Sequence, residues 1–417
     1  MRLTLPSLLR QSPFRNFWLG QTISVMGDQV TSLALPIVAV LVLKADPAQM
    51  GLLTAASLLP HLFFSLPAGV WLDRVHRRRR LMIVVDFLRA ALIATVPLAF
   101  LGGWLSMTHL FLLAFAVGTL SVAFDISWST LFVAVAKRDE FVQANSLLNG
   151  SRSLSGVAGP SIGGALIHFL GAPIAMVVDA FSFIASAFFL TRVKAVEPPV
   201  EHQPGSLRSQ LASGLSFILR DEIMRPTVLS AATLNLFNFG FQALFILYVT
   251  TYLGVDPGLL GLALGAGAIG AVVGALTASR IGRRVGLGPA FVLGLIIFPA
   301  ALILVPLAGG PMPVILAALF TMEFVGGFGV MILDINAGAI IPARTPDRIR
   351  SRVTGAFRFI NMGIRPIGAL LGGYLGTVIG VRETLFVVTI ASLLGVLWLV
   401  GTPVWRLHDM PEVAQID

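Results

Sequence analysis

The 417-residue sequence contains no cysteine, which excludes disulfide staples, thiolate metal sites and a cysteine nucleophile. Charge is scarce as well: Asp, Glu, Lys and Arg make up 12 % of the chain against 56 % hydrophobic residues, where a soluble domain carries roughly 25 % charged residues. With a mean hydropathy of +0.89, the surroundings that fit this surface are those of a bilayer rather than water. No glycine-rich phosphate loop occurs, so ATP hydrolysis within this chain is excluded as an energy source. The six histidines, His61, His76, His109, His168, His202 and His408, are scattered without ligand spacing, and no metal site is expected.

What is present is a series of apolar runs, each long enough to cross a membrane. They place spans near 14–43, 49–72, 80–102, 107–135, 141–170, 172–192, 226–252, 257–279, 288–308, 311–341, 346–377 and 383–404. The runs lack the ten-residue alternation of a lipid-facing strand, so the expected fold class is an all-α membrane protein with twelve transmembrane helices. The run after Arg15 is too long for the apolar core of a cleavable signal, and the first helix is expected to stay.

Positive charge sets the orientation. With both termini cytoplasmic, the inside segments hold basic clusters such as Arg77 to Arg80, Arg280 to Arg284 and Arg344 to Arg352, while the outside loops hold only Lys44 and Arg382. That asymmetry fits the positive-inside rule. It also accounts for the net charge of +9 without a nucleic-acid partner, because the basic residues are spread over many short segments.

The longest polar stretch divides the chain. Residues 1–192 read as one six-helix bundle, 193–225 as a cytoplasmic linker, and 226–417 as a second six-helix bundle. Within the linker, a proline-rich piece precedes an amphipathic helix, with Leu207, Leu211, Leu215, Ile218 and Leu219 at helical spacing, expected to lie on the cytoplasmic leaflet. Sliding one half along the other by 206 positions aligns the basic turn at Asp73-Arg74 with Ser279-Arg280, Arg152 with Arg358, and Pro160 with Pro366. Duplicated six-helix halves are a transporter architecture, with the substrate site near the midplane.

Three stretches carry a family resemblance. GVWLDRVHRRRR (69–80) resembles the loop 2–3 signature of the major facilitator superfamily, G-x-L-(A/S)-D-(R/K)-x-G-R-(R/K). Gly69, Asp73, Arg74, Arg77 and Arg78 match it, and His76 replaces the usual glycine. SGVAGPSIGG in the fifth span, with Gly156, Gly159, Pro160, Gly163 and Gly164, is similar to the antiporter signature of that superfamily's drug exporters. LGQTISVMGDQVTSLALP resembles the opening helix of bacterial macrolide, tetracycline and siderophore exporters of the twelve-span drug:proton antiporter type. The fourth span lacks the arginine that some of those antiporters carry, so a mechanism resting on it is not carried over.

The resemblance implies a cytoplasmic gate. In the family pattern the loop aspartate, here Asp73, pairs with the start of the eleventh helix, where Arg358 or Arg352 is available. The arginine, here Arg77, reaches an acid in the fourth helix, where Asp125 is available. Arg78 to Arg80 read as membrane anchors.

Charges inside the spans carry sharper information, because each costs roughly 2.5–3.5 kcal/mol at a helix centre on insertion scales. Asp28 lies mid-way along the first span and Glu323 mid-way along the tenth. They are the expected proton-coupling residues, the alternative being static pairing with Arg152 or Arg358. Asp86 and Arg89, one turn apart on the third helix, are expected to pair locally. Asp179, Asp334 and Arg365 carry no assigned role. By resemblance, the first, fourth, seventh and tenth helices line the cavity. There Gln21, Ser24, Trp128, Asn235, Asn238, Phe241, Gln242 and Phe245 offer aromatic faces and neutral hydrogen-bonding groups suited to a bulky amphipathic or cationic compound.

The function expected from these features is proton-coupled efflux of drug-like or amphipathic small molecules across the cell membrane by a monomer, with the proton gradient as energy source and no cofactor. The alternatives are a dedicated exporter of a metabolite such as a siderophore or lysolipid, and a membrane-embedded enzyme or sensor. The last would show a clustered His/Asp/Glu set, a nucleotide loop or an appended soluble domain, and the sequence has none.

Overall fold

The computed structural model describes residues 7–72, 77–194 and 207–414. Every regular element among the described residues is helical. In chain order the helices are α1 Ser12–Ile37, α2 Pro47–Leu72, α3 Arg78–Leu101, α4 Met107–Val135, α5 Phe141–Leu170, α6 Ala172–Thr191, α7 Leu207–Arg220, α8 Met224–Leu247, α9 Pro257–Val285, α10 Leu287–Leu302, α11 Leu304–Leu307, α12 Met312–Arg344, α13 Arg350–Val378 and α14 Val381–Leu393. Among the described residues, ten helical segments are long and apolar enough to cross a membrane. With α2 and α13, of 26 and 29 residues, they are compatible with twelve crossings. Helix α13 is the polar exception because it carries Arg350, Arg352, Arg358 and Arg365.

The helices fall into two compact units. The first comprises Met1–Lys44, Ala56–Gln203 and Asp256–Leu262, and the second Ala45–Ala55, Pro204–Val255 and Ala263–Asp417. In the first, α1 packs on α5 and α6, and α3 packs on α4 and α6. Its core gathers Phe14, Phe17, Leu131, Leu190 and Val193. In the second, α8 packs on α13 and α14, and α10 on α12, around Phe291, Leu295, Leu333 and Leu399.

Lipid tails are as apolar as leucine, so helices in a membrane associate by close packing of small residues. Such seams recur here. A Cβ on Gly372 of α13 would fall 2.5 Å from the Gly240 Cα of α8, and one on Gly327 of α12 would meet the backbone of Gly267 on α9.

The amphipathic helix α7 has a protein partner as well as an outward face. Ile218 is buried with Val228, Val353 and Ala356, and a Cβ on Gly214 would fall 3.0 Å from Ala356 Cβ. Leu215 and Leu219 remain exposed. The apolar stripe of α7 is wide enough to be shared between α13 and the outward face.

A second duplication runs in a register of 210, distinct from the 206-residue offset of the basic turns. Residues 43–51 and 253–261 share the pattern Leu-x-x-Asp-Pro-x-x-x-Gly. Each follows a π-helical turn, Val38–Val42 and Tyr248–Tyr252, closed by Leu43 N–H to the Val38 carbonyl and Leu253 N–H to the Tyr248 carbonyl. Each then enters the left-handed region, at Lys44 (φ 56°) and Gly254 (φ 67°). Each starts a helix from an aspartate: Asp46 Oδ1 accepts from Gln49 N–H at 2.8 Å, and Asp256 Oδ1 from Gly258 N–H at 2.7 Å, as N-caps do.

Candidate functional site

In the first unit the buried charge is organised around Arg89. Helix α3 places Arg89 one turn from Asp86, with Nη1 3.8 Å from Asp86 Oδ1, both side chains buried. The expected local pair is therefore present, but it is not the whole arrangement. The guanidinium lies 4.7 Å from the ring centre of Phe124 on α4 and 5.2 Å from that of Phe183 on α6. Its field also acts on Asp28 of α1, Asp125 of α4 and Asp179 of α6. Arg89 thus contacts one carboxyl and acts through space on carboxyls of three further helices. The protonation state of any one changes the field at the others, so a proton taken up anywhere in the group is felt across the unit.

Asp179 is held most firmly. It is fully buried, accepting hydrogen bonds from Thr31 Oγ1 and, at 2.8 Å, from Ser182 Oγ. Gly27 makes this possible, since a Cβ there would overlap both Ser182 Oγ and Asp179 Oδ1. Asp28, the next residue, is exposed, as is Asp125, and it acts on Asp179 through space. Sequence reasoning missed Asp179; the available signal was Gly27, a glycine immediately before the intramembrane acid of α1.

Asp125 is flanked by Arg89, His61 and Arg152. Arg77, the expected partner of Asp125, is exposed just ahead of α3. Arg152 also lies 5.0 Å from the centre of Trp128, in an aromatic row where Trp128 sits 6.0 Å from Phe17 and 5.6 Å from Phe132. Of the remaining gate residues, Gly69 lies in the last turn of α2, Asp73 and Arg74 lie outside the described residues, and Arg358 is exposed on α13.

The second unit has a simpler arrangement. Glu323 of α12 faces α9, where a Cβ on Gly267 would fall 2.6 Å from Glu323 Oε2. Burial alone, with no charged side chain among the described residues, dominates its surroundings. Asp334 lies on α12, 209 positions after Asp125, each followed by isoleucine, and each faces an arginine of its own unit: Arg152 for Asp125, Arg365 for Asp334. Arg365 donates from Nη2 to Asn361 Oδ1 at 2.8 Å and lies 4.9 Å from the centre of Phe239.

The residues expected to line a cavity divide. Gln242 is exposed, and Trp128, Asn235 and Asn238 are half-buried. Asn235 spends its amide on the Ala231 carbonyl. Gln21 and Ser24 are buried. Phe241 and Phe245 are buried too, with ring centres 5.6 Å apart. Their apolar rings are used in the packing of α8.

The fifth-span motif is structural in its detail. Gly159 lies against Gln29, Gly163 against Val30, and Gly164 against Pro257 and Gly261, while Pro160 interrupts the hydrogen bonding of α5 and Gly156 is half-buried. An apolar crevice of about 430 Å³ runs between α1, α5 and α6. It opens beside the exposed Ile162, Val178 and Phe181, which in a membrane helix is the lipid side.

The whole chain has known relatives. Residues 5–415 match the family model described as transmembrane secretion effector. The multidrug efflux pump Tap of Mycobacterium tuberculosis is 28 % identical over 406 residues, covering 94 % of this chain and 93 % of the relative. The enterobactin exporter EntS of Citrobacter koseri is 24 % identical over 389 residues, covering 89 % and 87 %. Among solved structures, a bacterial homologue of the iron transporter ferroportin aligns with a TM-score of 0.72 at 18 % identity, covering 95 % of this chain and 99 % of the other. The nucleoside transporter NupG aligns with a TM-score of 0.73 at 12 % identity, covering 93 % and 98 %. At those identities the structures speak for the fold.

Proposed function

The chain belongs to the transmembrane secretion effector family of the major facilitator superfamily, and on that premise we propose that it exports drug-like or amphipathic small molecules across the cell membrane by alternating access, driven by protons. The observation that carries the coupling is the pair of acid sites. In the first unit Arg89 pairs with Asp86 and acts through space on Asp28, Asp125 and Asp179, and in the second unit Glu323 is half-buried against α9 without a charged neighbour among the described residues. Intramembrane acids are expensive to insert and are kept where protons or cations move.

In this reading Asp28 and Glu323 carry the proton. Residues 1–192 and 226–417 are the two rocking halves, 193–225 joins them, and both termini are cytoplasmic. Gly69, Asp73, Arg74 and Arg77 form the cytoplasmic gate with Asp125 and Arg358. The relatives named for multidrug efflux support a broad cargo range. The relative named as an enterobactin exporter supports the second reading, a dedicated metabolite exporter.

Uptake into inverted vesicles separates the two. A broad exporter accumulates several unrelated amphipathic compounds when the lumen is acidified, and a dedicated one accumulates a single chemical class. No accumulation of any compound under a proton gradient would end both.

A further inference from the structure

Arg365 stands about half-way along the 29-residue α13, at a depth where an arginine is retained for pairing or function. Its position is fixed from two sides. Asn361, one turn earlier, accepts from Nη2 at 2.8 Å, and the ring of Phe239 on α8 lies 4.9 Å from the guanidinium carbon. Yet Nε is buried without a hydrogen-bond partner. Asp334 acts on the guanidinium through space but forms no ion pair with it among the described residues. The neighbouring Asn238 likewise leaves its Oδ1 buried without a donor. The guanidinium is held in place and left with bonding capacity.

A scaffold role shared by both halves does not explain it. In the 206-residue register that aligns Pro160 with Pro366 on the same two helices, the counterpart of Arg365 is Gly159. The acid is duplicated and this arginine is not.

We propose that Arg365, set by Asn361 and Phe239, is a cargo-binding residue that receives an oxyanion carried on an aromatic ring system, a carboxylate or phenolate. A guanidinium fork recognises such oxygens through charge-assisted hydrogen bonds that a cationic compound cannot form. The proposal deepens the export reading and rests on it for the meaning of the site, but it is a statement about binding and is tested as binding.

The test uses the full chain, purified and placed in lipid nanodiscs, with two dyes that share a xanthene ring and differ in charge. Fluorescein carries a carboxylate and a phenolate, and rhodamine 6G is a cation. Binding is followed by fluorescence anisotropy. Arg365→Gln is expected to weaken fluorescein about tenfold or more, the size of one charge-assisted contact, and to leave rhodamine 6G within about twofold. Asn361→Asp keeps the guanidinium and gives it an internal carboxylate, so the same selective loss is expected; it also decides the matter if Arg365→Gln fails to fold. The proposal is overturned if the wild-type protein does not bind fluorescein saturably, if both dyes weaken equally, or if fluorescein is unaffected in the folded variants. Failure of export itself would show separately, as wild-type vesicles that accumulate neither dye while the selective binding loss persists.

Discussion

Gly164 of α5 and Gly261 of α9 touch backbone to backbone. A Cβ added to Gly164 would fall 2.9 Å from Gly261 Cα, and one added to Gly261 would fall 2.8 Å from Gly164 Cα. Gly51 and Gly373 repeat the contact, at 2.8 Å in each direction. Gly51 and Gly261 are the last residues of the duplicated Leu-x-x-Asp-Pro-x-x-x-Gly segment. One glycine therefore serves the same packing task in both copies.

The first prediction follows from that contact. Gly164→Val forces backbones apart and should destabilise the protein by about 1–3 kcal/mol, as overpacking does, with export falling in parallel. Gly150 lies on the same helix, and a Cβ added there would meet nothing within 4 Å. Gly150→Ala should leave export intact and raise the melting temperature, since alanine favours a helix by about 1 kcal/mol over glycine. Thermal unfolding in detergent compares the two, and similar shifts for both would refute the packing argument.

The duplicated turn gives the second. Lys44 is the one non-glycine residue at positive φ among those described, and its counterpart is Gly254. Gly254→Ala should cost about 1 kcal/mol, because a Cβ disfavours that region. Lys44→Gly should leave stability unchanged or raised, the strain relieved offsetting the greater freedom of the unfolded chain. The difference in melting temperature between the pair is the readout.

Asp221 carries the third. Its Oδ1 accepts from Ile223 and Met224 N–H at 3.0 and 2.8 Å, and its Oδ2 from Arg344 Nε at 2.9 Å. Arg344 in turn holds the C-terminal tail: its side chain donates to the Glu412 carbonyl at 3.0 Å, and its own carbonyl accepts from Ala414 N–H at 3.0 Å. Asp221→Ala should lower stability by about 2 kcal/mol through the lost cap and pair and expose the tail to protease. Limited proteolysis followed by mass measurement reads the cut sites, and an unchanged digest would contradict the link.

The gate supplies the fourth. Asp73→Asn should leave the protein folded and inserted while slowing export severely, because the pairing that holds the cytoplasmic side shut is weakened. Normal transport rates in a well-expressed variant would remove Asp73 from the gate.

Much of the architecture is legible from local chemistry. Apolar runs set the helices because only helices and closed barrels cross a bilayer and the runs lack a strand's alternation, and the Asp86–Arg89 spacing points to a pair that is present. The rest depends on which face each residue presents. Phe241 and Phe245 share the composition of a binding surface, yet they sit on the packed side of α8. Asp179 looks like an isolated acid until α1 and α6 meet at Gly27. Asp125 matches the motif's expected acid, yet Arg89, His61 and Arg152, on α3, α2 and α5, also act on it. Helical register between partners is a tertiary property, and the span-by-span pattern does not contain it.

The central claim is that protons drive export through Asp28 and Glu323, and the most direct measurement separates exchange from uphill transport. Asp28→Asn and Glu323→Gln keep the shape of each side chain and remove its titration. In proteoliposomes one or both variants should still exchange substrate down its own gradient at near wild-type rates, while accumulation driven by a pH gradient is abolished. Misfolding would abolish both. If both single variants and the double variant accumulate substrate against its gradient with the wild-type pH dependence, the claim is contradicted and the proton travels by another route.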